Sequence, residues 1–176
     1  MYNFKGFTQK ANDAMNLAIE NAAKMGHTYI GTEHLLLGLL EEQTGVAAAT
    51  LNECGATTEM LSEKITASIG RGSPTSLTPE DFTPRTKRVM QTAIMTSAQV
   101  GHSFVGTEHL LVALLSERDS YAVKFLEEIG VSVNSVLTAL KASLNEETER
   151  EFQPEDAHKK GDSKGKNKNL ENSAEI

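Results

Sequence analysis

The chain has one cysteine, no tryptophan and four prolines among 176 residues. A single cysteine, Cys54, excludes an intramolecular disulfide framework and predicts life in a reducing compartment, the cytoplasm. Aromatics make up only 5 %, so a core must be aliphatic. No apolar run approaches the roughly 18 residues that cross a bilayer, and the start, MYNFKGFTQK, has no apolar stretch that would read as a signal peptide. Excess positive charge is also absent: 24 acidic against 17 basic residues give a formal charge of −7. That balance argues against nucleic acid and against anionic membrane surfaces as partners.

What is present is written twice. An offset of 75 residues superposes Phe7-Thr8 on Phe82-Thr83, Met15 on Met90, Gly26-His27 on Gly101-His102, and GTEHLL at 31–36 on GTEHLL at 106–111. Between 7–55 and 82–130, 21 of 49 positions are identical without a gap. Chance would give only a few, so the chain holds two copies of one module.

Each copy reads as four helices. Thr8 is an N-cap for a first helix whose apolar residues at 11, 14, 15, 18, 19 and 22 follow the 3.6 period, and Gly26 stands where it should stop. Thr32 is expected to cap a second helix with Leu35, Leu36, Leu39 and Leu40 on one face. Shorter helices follow over about Val46–Glu53 and Thr58–Ile69. Thr83, Thr107, Tyr121 and Val133 mark the corresponding starts in the second copy. No segment alternates as a strand would. The expected fold is all-α, about eight helices in two tandem four-helix repeats related by a pseudo-two-fold axis. The repeats span 1–70 and 83–144 within one globular domain. A Gly- and Pro-containing connector covers 71–82, and 145–176 reads as a disordered, charged linker or tail.

Candidate chemistry concentrates in His27, Thr32, Glu33 and His34 and their copies His102, Thr107, Glu108 and His109. The order Glu-His is wrong for an HExxH zinc helix, so no metal is expected, and His34 and His109 read as structural or supporting residues that fix the loop before the second helix. Cys54 has Ile129 as its counterpart, and no nucleophile elbow or phosphate-binding loop is present; no catalytic residue and no cofactor are expected. Glu33 and Glu108 admit two readings. Each falls in the first turn of a helix, where a carboxylate gains about 0.3–1 kcal/mol from the helix dipole. Alternatively each faces outward to accept a guanidinium, a pairing that suits arginine. The helix starts at Thr8 and Thr83, followed by Lys10 and by Arg85, Lys87 and Arg88, are suited to an anion, or are plain caps with a phenylalanine staple.

The segments GHTYIGTEHLLLGLLEE and GHSFVGTEHLLVALLSE, each with an FT helix start 24 residues before its GTEH, resemble the Clp repeat domain, as found at the N-terminus of bacterial ClpC unfoldases. The likeness covers residues 1 to about 144. It implies a non-catalytic recognition domain for arginine-phosphorylated or unfolded protein substrates and for adaptor proteins, working with an AAA+ ring and a ClpP-type protease. It further implies one phosphoarginine site per repeat, with Glu33 and Glu108 as guanidinium partners. Thr8, Thr83, Thr32 and Thr107 would support them. After the second helix the first copy reads QTGVAAATL, close to the family pattern, whereas the second reads RDSYAVKFL and has lost the glycine. Two rival readings remain. One is a purely structural adaptor-docking module, which an exposed patch at Phe4, Phe7 or Phe82 would favour; the other is a metal-dependent hydrolase built on the paired TEH segments.

Overall fold

A computed structural model describes residues 1–146; the stretch read as a tail therefore lies, from residue 147, outside the described residues. The described chain forms eight α-helices and no strand. The first repeat contains α1 (Gln9–Lys24), α2 (Thr32–Glu42), α3 (Val46–Glu53) and α4 (Thr58–Ile69). The second contains α5 (Pro84–Gln99), α6 (Thr107–Ser116), α7 (Tyr121–Glu128) and α8 (Val133–Glu146), with a 3₁₀ turn at Pro79–Asp81 in the connector.

Local chemistry accounts for the boundaries. The Thr8 hydroxyl accepts from the Ala11 amide and that of Thr83 from the Thr86 amide, as expected of N-caps. Gly26 follows α1 with φ of +81°; a Cβ there would also lie 2.4 Å from the Gly72 backbone, so glycine is required twice over. Where the second copy has lost its glycine, Ser120 caps α7 through its hydroxyl, accepting from Val123.

The second-helix caps differ from expectation. Gly31 and Gly106, not Thr32 and Thr107, occupy the N-cap positions. The threonines sit one residue inside the helix, and their hydroxyls are used across the molecule. Thr32 Oγ1 accepts from the Ala122 amide in the first turn of α7, and Thr107 Oγ1 accepts from the Ala47 amide in the first turn of α3, each at 3.2 Å.

The repeats are further joined by matched backbone bonds. Thr8 N donates to Val105 O and Val105 N to Gly6 O; Thr83 N donates to Ile30 O and Ile30 N to Asp81 O, all between 2.8 and 3.0 Å. Applying the 75-residue offset turns the first pair into the second. The contact is thus self-complementary, as a two-fold axis demands.

Leu35, Leu36, Leu39 and Leu40 of α2 and Leu110, Leu111, Leu114 and Leu115 of α6 are at most 1 % exposed, and they fill one continuous aliphatic core. Helix α1 lies so close to α2 that a Cβ on Gly38 would fall 2.2 Å from Ala14 O. The N-terminal segment is pinned to α1 by two buried asparagines: Asn16 exchanges two bonds of 2.8 Å with the Tyr2 backbone, and Asn12 holds Phe4. Phe82 is 4 % exposed, and Phe4 and Phe7 pack against the core, so the exposed phenylalanine patch that would favour a docking module is not formed. No helix of the described residues is long and apolar enough to cross a membrane.

Candidate functional site

The cross-repeat bonds bring helix N-termini together in threes. The starts of α2, α5 and α7 meet through Thr32, Ile30, Thr83 and Ala122; those of α6, α1 and α3 meet through Thr107, Val105, Thr8 and Ala47. Each cluster therefore draws on both repeats. Thr83 comes to the Glu33 end of α2, and Thr8 to the Glu108 end of α6, so neither threonine joins the glutamate of its own repeat. Free amide N–H groups at helix starts carry partial positive charge, and three starts in one place concentrate it.

Each cluster carries a glutamate in a first turn, Glu33 in α2 and Glu108 in α6. Sequence reasoning allowed these carboxylates to face outward; the structure corrects this, since Glu33 and Glu108 are each 1 % exposed. Taking a carboxylate out of water costs more than the helix dipole returns. Glu33 accordingly titrates above the ordinary carboxylate range, burial being the leading cause, with hydrogen bonds to its own amide and from Tyr29 pulling the other way. The Tyr29 hydroxyl donates to Glu33 Oε2 at 3.2 Å. Tyr29 was not among the residues singled out from sequence. The available signal was a difference between the copies just before GTEH, Tyr29 against Phe104, the one of the three there that adds an aromatic hydroxyl.

The histidines bond to one another and to the backbone, and their proton positions follow from their partners. The Gly31 amide donates to His34 Nδ1 at 2.9 Å. His34 Nε2–H therefore donates to His27 Nδ1 at 2.8 Å, and His27 Nε2–H to Gly70 O at 2.9 Å. Every nitrogen lone pair of both rings is used, leaving none for a metal ion. His34 Nδ1 also lies 4.0 Å from Glu33 Oε2, but this is no ion pair, because the ring is neutral. In the second copy the Gly106 amide donates to His109 Nδ1, and His109 bonds His102 Nδ1, both at 2.8 Å. Burial and the neighbouring imidazole hold His34 and His109 down to about 3. No group of three or more metal-ligating side chains exists among the described residues.

Basic residues flank both clusters. Lys10 Nζ donates to Thr44 O at 3.2 Å, bridging the starts of α1 and α3. At the other cluster Arg88 makes a two-pronged contact with Glu117, 2.9 Å on each branch, and Arg85 lies 3.9 Å from the same carboxylate.

The fold and the paired clusters define a class: an all-helical double repeat, closed about a pseudo-two-fold axis, with two matched polar centres between its halves. The chain belongs to the Clp repeat (R) N-terminal domain family, whose model matches residues 6–129 and 81–164. It is 39 % identical over 146 residues to the chloroplastic chaperone protein ClpC1 of Oryza sativa subsp. japonica, covering 83 % of this chain and 16 % of that protein. It is 41 % identical over 131 residues to the negative regulator of genetic competence ClpC/MecB of Bacillus subtilis, covering 74 % and 16 %. The chain thus spans about one-sixth of the length of these relatives. Among solved structures, the N-terminal domain of the chaperone ClpD from Arabidopsis thaliana matches with a TM-score of 0.69 at 26 % identity, over 81 % of this chain and 99 % of that one. The ClpV N-domain in complex with a VipB peptide shares the fold, at a TM-score of 0.56 and 16 % identity, over 77 % and 88 %.

Proposed function

We propose that the chain is the recognition domain of a ClpC-type protein-quality-control machine, presenting arginine-phosphorylated proteins and adaptors to an ATP-driven unfoldase that works with a ClpP-type protease. The observation that carries this reading is the placing of a carboxylate, Glu33 or Glu108, among three helix N-termini in each of two matched clusters. A phosphoarginine side chain needs such a pair of elements. Its guanidinium calls for a carboxylate, and its phosphoryl group for free amides and nearby bases. Glu33 with Thr83, and Glu108 with Thr8, would supply them, while Thr32 and Thr107 hold the helix starts in place. Two sites on one domain would favour multiply marked proteins through effective concentration.

Calorimetric titration with free phosphoarginine tests this, with arginine and phosphoserine as controls. Selective binding, one site lost in Glu33→Ala or in Glu108→Ala and both in the double variant, is the expected result. Heat that survives the double variant would place the ligand elsewhere.

A second reading, an adaptor-docking surface without a small-ligand pocket, draws on the last turns of α5 and the residue that ends it, where Ile94, Met95 and Val100 are 47–59 % exposed. Absence of phosphoarginine binding with an intact fold would favour it.

A further inference from the structure

Helices α1 and α5 are equivalent by the 75-residue offset, but they are not equally covered. The connector runs back along the outer side of α1: the Gly72 amide donates to Met25 O at 2.8 Å and the Thr75 amide to Ala23 O at 2.9 Å. Leu77, packed against the core, then shares a shallow cleft with Ile19 and Ala23. Beneath this strap Ile19 is 6 % and Met25 3 % exposed. Their counterparts, Ile94 and Val100, are 48 % and 47 % exposed, and Met95 beside them is 59 % exposed.

The offset that doubles the helices also doubles the connector. Leu77-Thr78-Pro79-Glu80-Asp81 falls on Phe152-Gln153-Pro154-Glu155-Asp156, with Pro-Glu-Asp identical and Phe152 in the place of Leu77. Phe152 lies six residues past Glu146, the end of α8, as Leu77 lies eight past Ile69, the end of α4. Six extended residues reach about 20 Å. The charges are complementary as well: residues 147–156 carry five acids and one base, whereas α5 carries Arg85, Lys87 and Arg88 and no acid. The likeness stops at Asp156. In the first repeat Asp81 and Thr83 go on to bond Ile30, but the equivalent Val105 is already taken by Gly6 and Thr8, so residues 157 onward have no such place to fill.

We propose that residues 147–156 are a second strap: Phe152 seats on Ile94 and Met95, and the segment follows α5 toward Lys87 and Arg88 as residues 72–77 follow α1. Seating a phenylalanine there takes apolar surface on both sides out of water. The occupant of the exposed α5 face is then the chain itself, and any partner for that face must displace the strap. The strap does not depend on the ligand proposed for Glu33 and Glu108.

Two readouts on the 176-residue chain test it. Hydrogen peroxide oxidation of Met95, followed by peptide mass spectrometry, reports whether the face is covered. Phe152→Ala should speed it about ten-fold, the equilibrium equivalent of one large apolar side chain leaving its seat. Met15, which is fully buried in α1, should not change. An unmoved Met95 rate overturns the strap and leaves the face open to other partners. The second readout is cross-linking. With Cys54→Ser removing the native thiol, a short bismaleimide should join Gln91→Cys, on the same side of α5 as Ile94 and Met95, to Gln153→Cys within one chain. The rate should be unchanged on dilution and about ten-fold slower once Phe152→Ala is added. A rate indifferent to Phe152→Ala overturns the strap. A link that forms only between chains would overturn it too, and would assign the face to a second copy. If the cysteine variants do not melt as folded proteins, the Met95 rate alone decides.

Discussion

Thr32 and Ala122, ninety residues apart, are joined by a buried hydrogen bond of 3.2 Å from the Ala122 amide to the Thr32 hydroxyl. The bond from Ala47 to Thr107, of the same length, is its mirror in the other half. A helix start in one repeat is thereby capped by a side chain from the other. Neither repeat satisfies every amide at the start of its own third helix, so the half-molecule is incomplete in its hydrogen bonding as well as in its core.

Thr32→Val and Thr107→Val should each cost about 1–2 kcal/mol, because valine keeps the shape and leaves a buried amide unsatisfied. The double variant should lose roughly the sum. Urea unfolding checks both, and a cost near zero for either single variant would show that its cap is not stabilising.

Acid should weaken the fold through its histidines. His34 and His109 are neutral in the structure, held to about 3 by burial and by His27 and His102 beside them; in the unfolded chain they titrate near about 6.5. Below that value the unfolded state binds more protons. Their contribution is complete above about pH 6.5 and drains away as pH falls toward 3, with a slope approaching about 1.4 kcal/mol per unit for each ring. Melting temperatures at pH 7.5 and pH 5 should differ clearly, and His109→Gln should reduce the difference.

Glu33 predicts the opposite sign. Burial raises it above the ordinary carboxylate range, so the fold favours the protonated form. Stability tied to this group is present at low pH and is lost as pH rises through its folded value. At pH 7.5 Glu33→Gln, which keeps an acceptor for Tyr29 and removes the buried charge, should stabilise by about 1 kcal/mol and raise the melting temperature by about 2–4 °C. A lower melting temperature would mean that the charge stabilises the fold.

Gly38 and Ala113, equivalent by the 75-residue offset, should respond unequally to exchange. Gly38→Ala places a methyl group 2.2 Å from Ala14 O and should cost about 3 kcal/mol or prevent cooperative folding. Ala113→Gly, at a buried site that already accepts a Cβ, should cost only about 1 kcal/mol. Thermal melts of both proteins make the comparison.

The sequence by itself determined the repeat, the helices and their class. Apolar spacing, capping threonines and stop glycines act within a few residues, so the helix starts after Thr8 and Thr83 and at Val46, Tyr121 and Val133 stand where local chemistry put them. GTEH also singled out the two glutamates, Glu33 and Glu108, that the structure buries. What only the tertiary structure decided is who meets whom. Thr8 comes to the start of α6 and Thr83 to the start of α2 because strand-like pairing of Gly6–Thr8 with Val105, and of Asp81–Thr83 with Ile30, crosses between repeats. A 3.6-residue period carries no information about that. The same packing moved Thr32 and Thr107 from capping their own helices to capping α7 and α3. It buried Glu33 and Glu108, each 1 % exposed, which a first-turn position in the sequence does not decide. It also fixed the tautomers of His27 and His34, because a ring nitrogen's role is set by its partners in space.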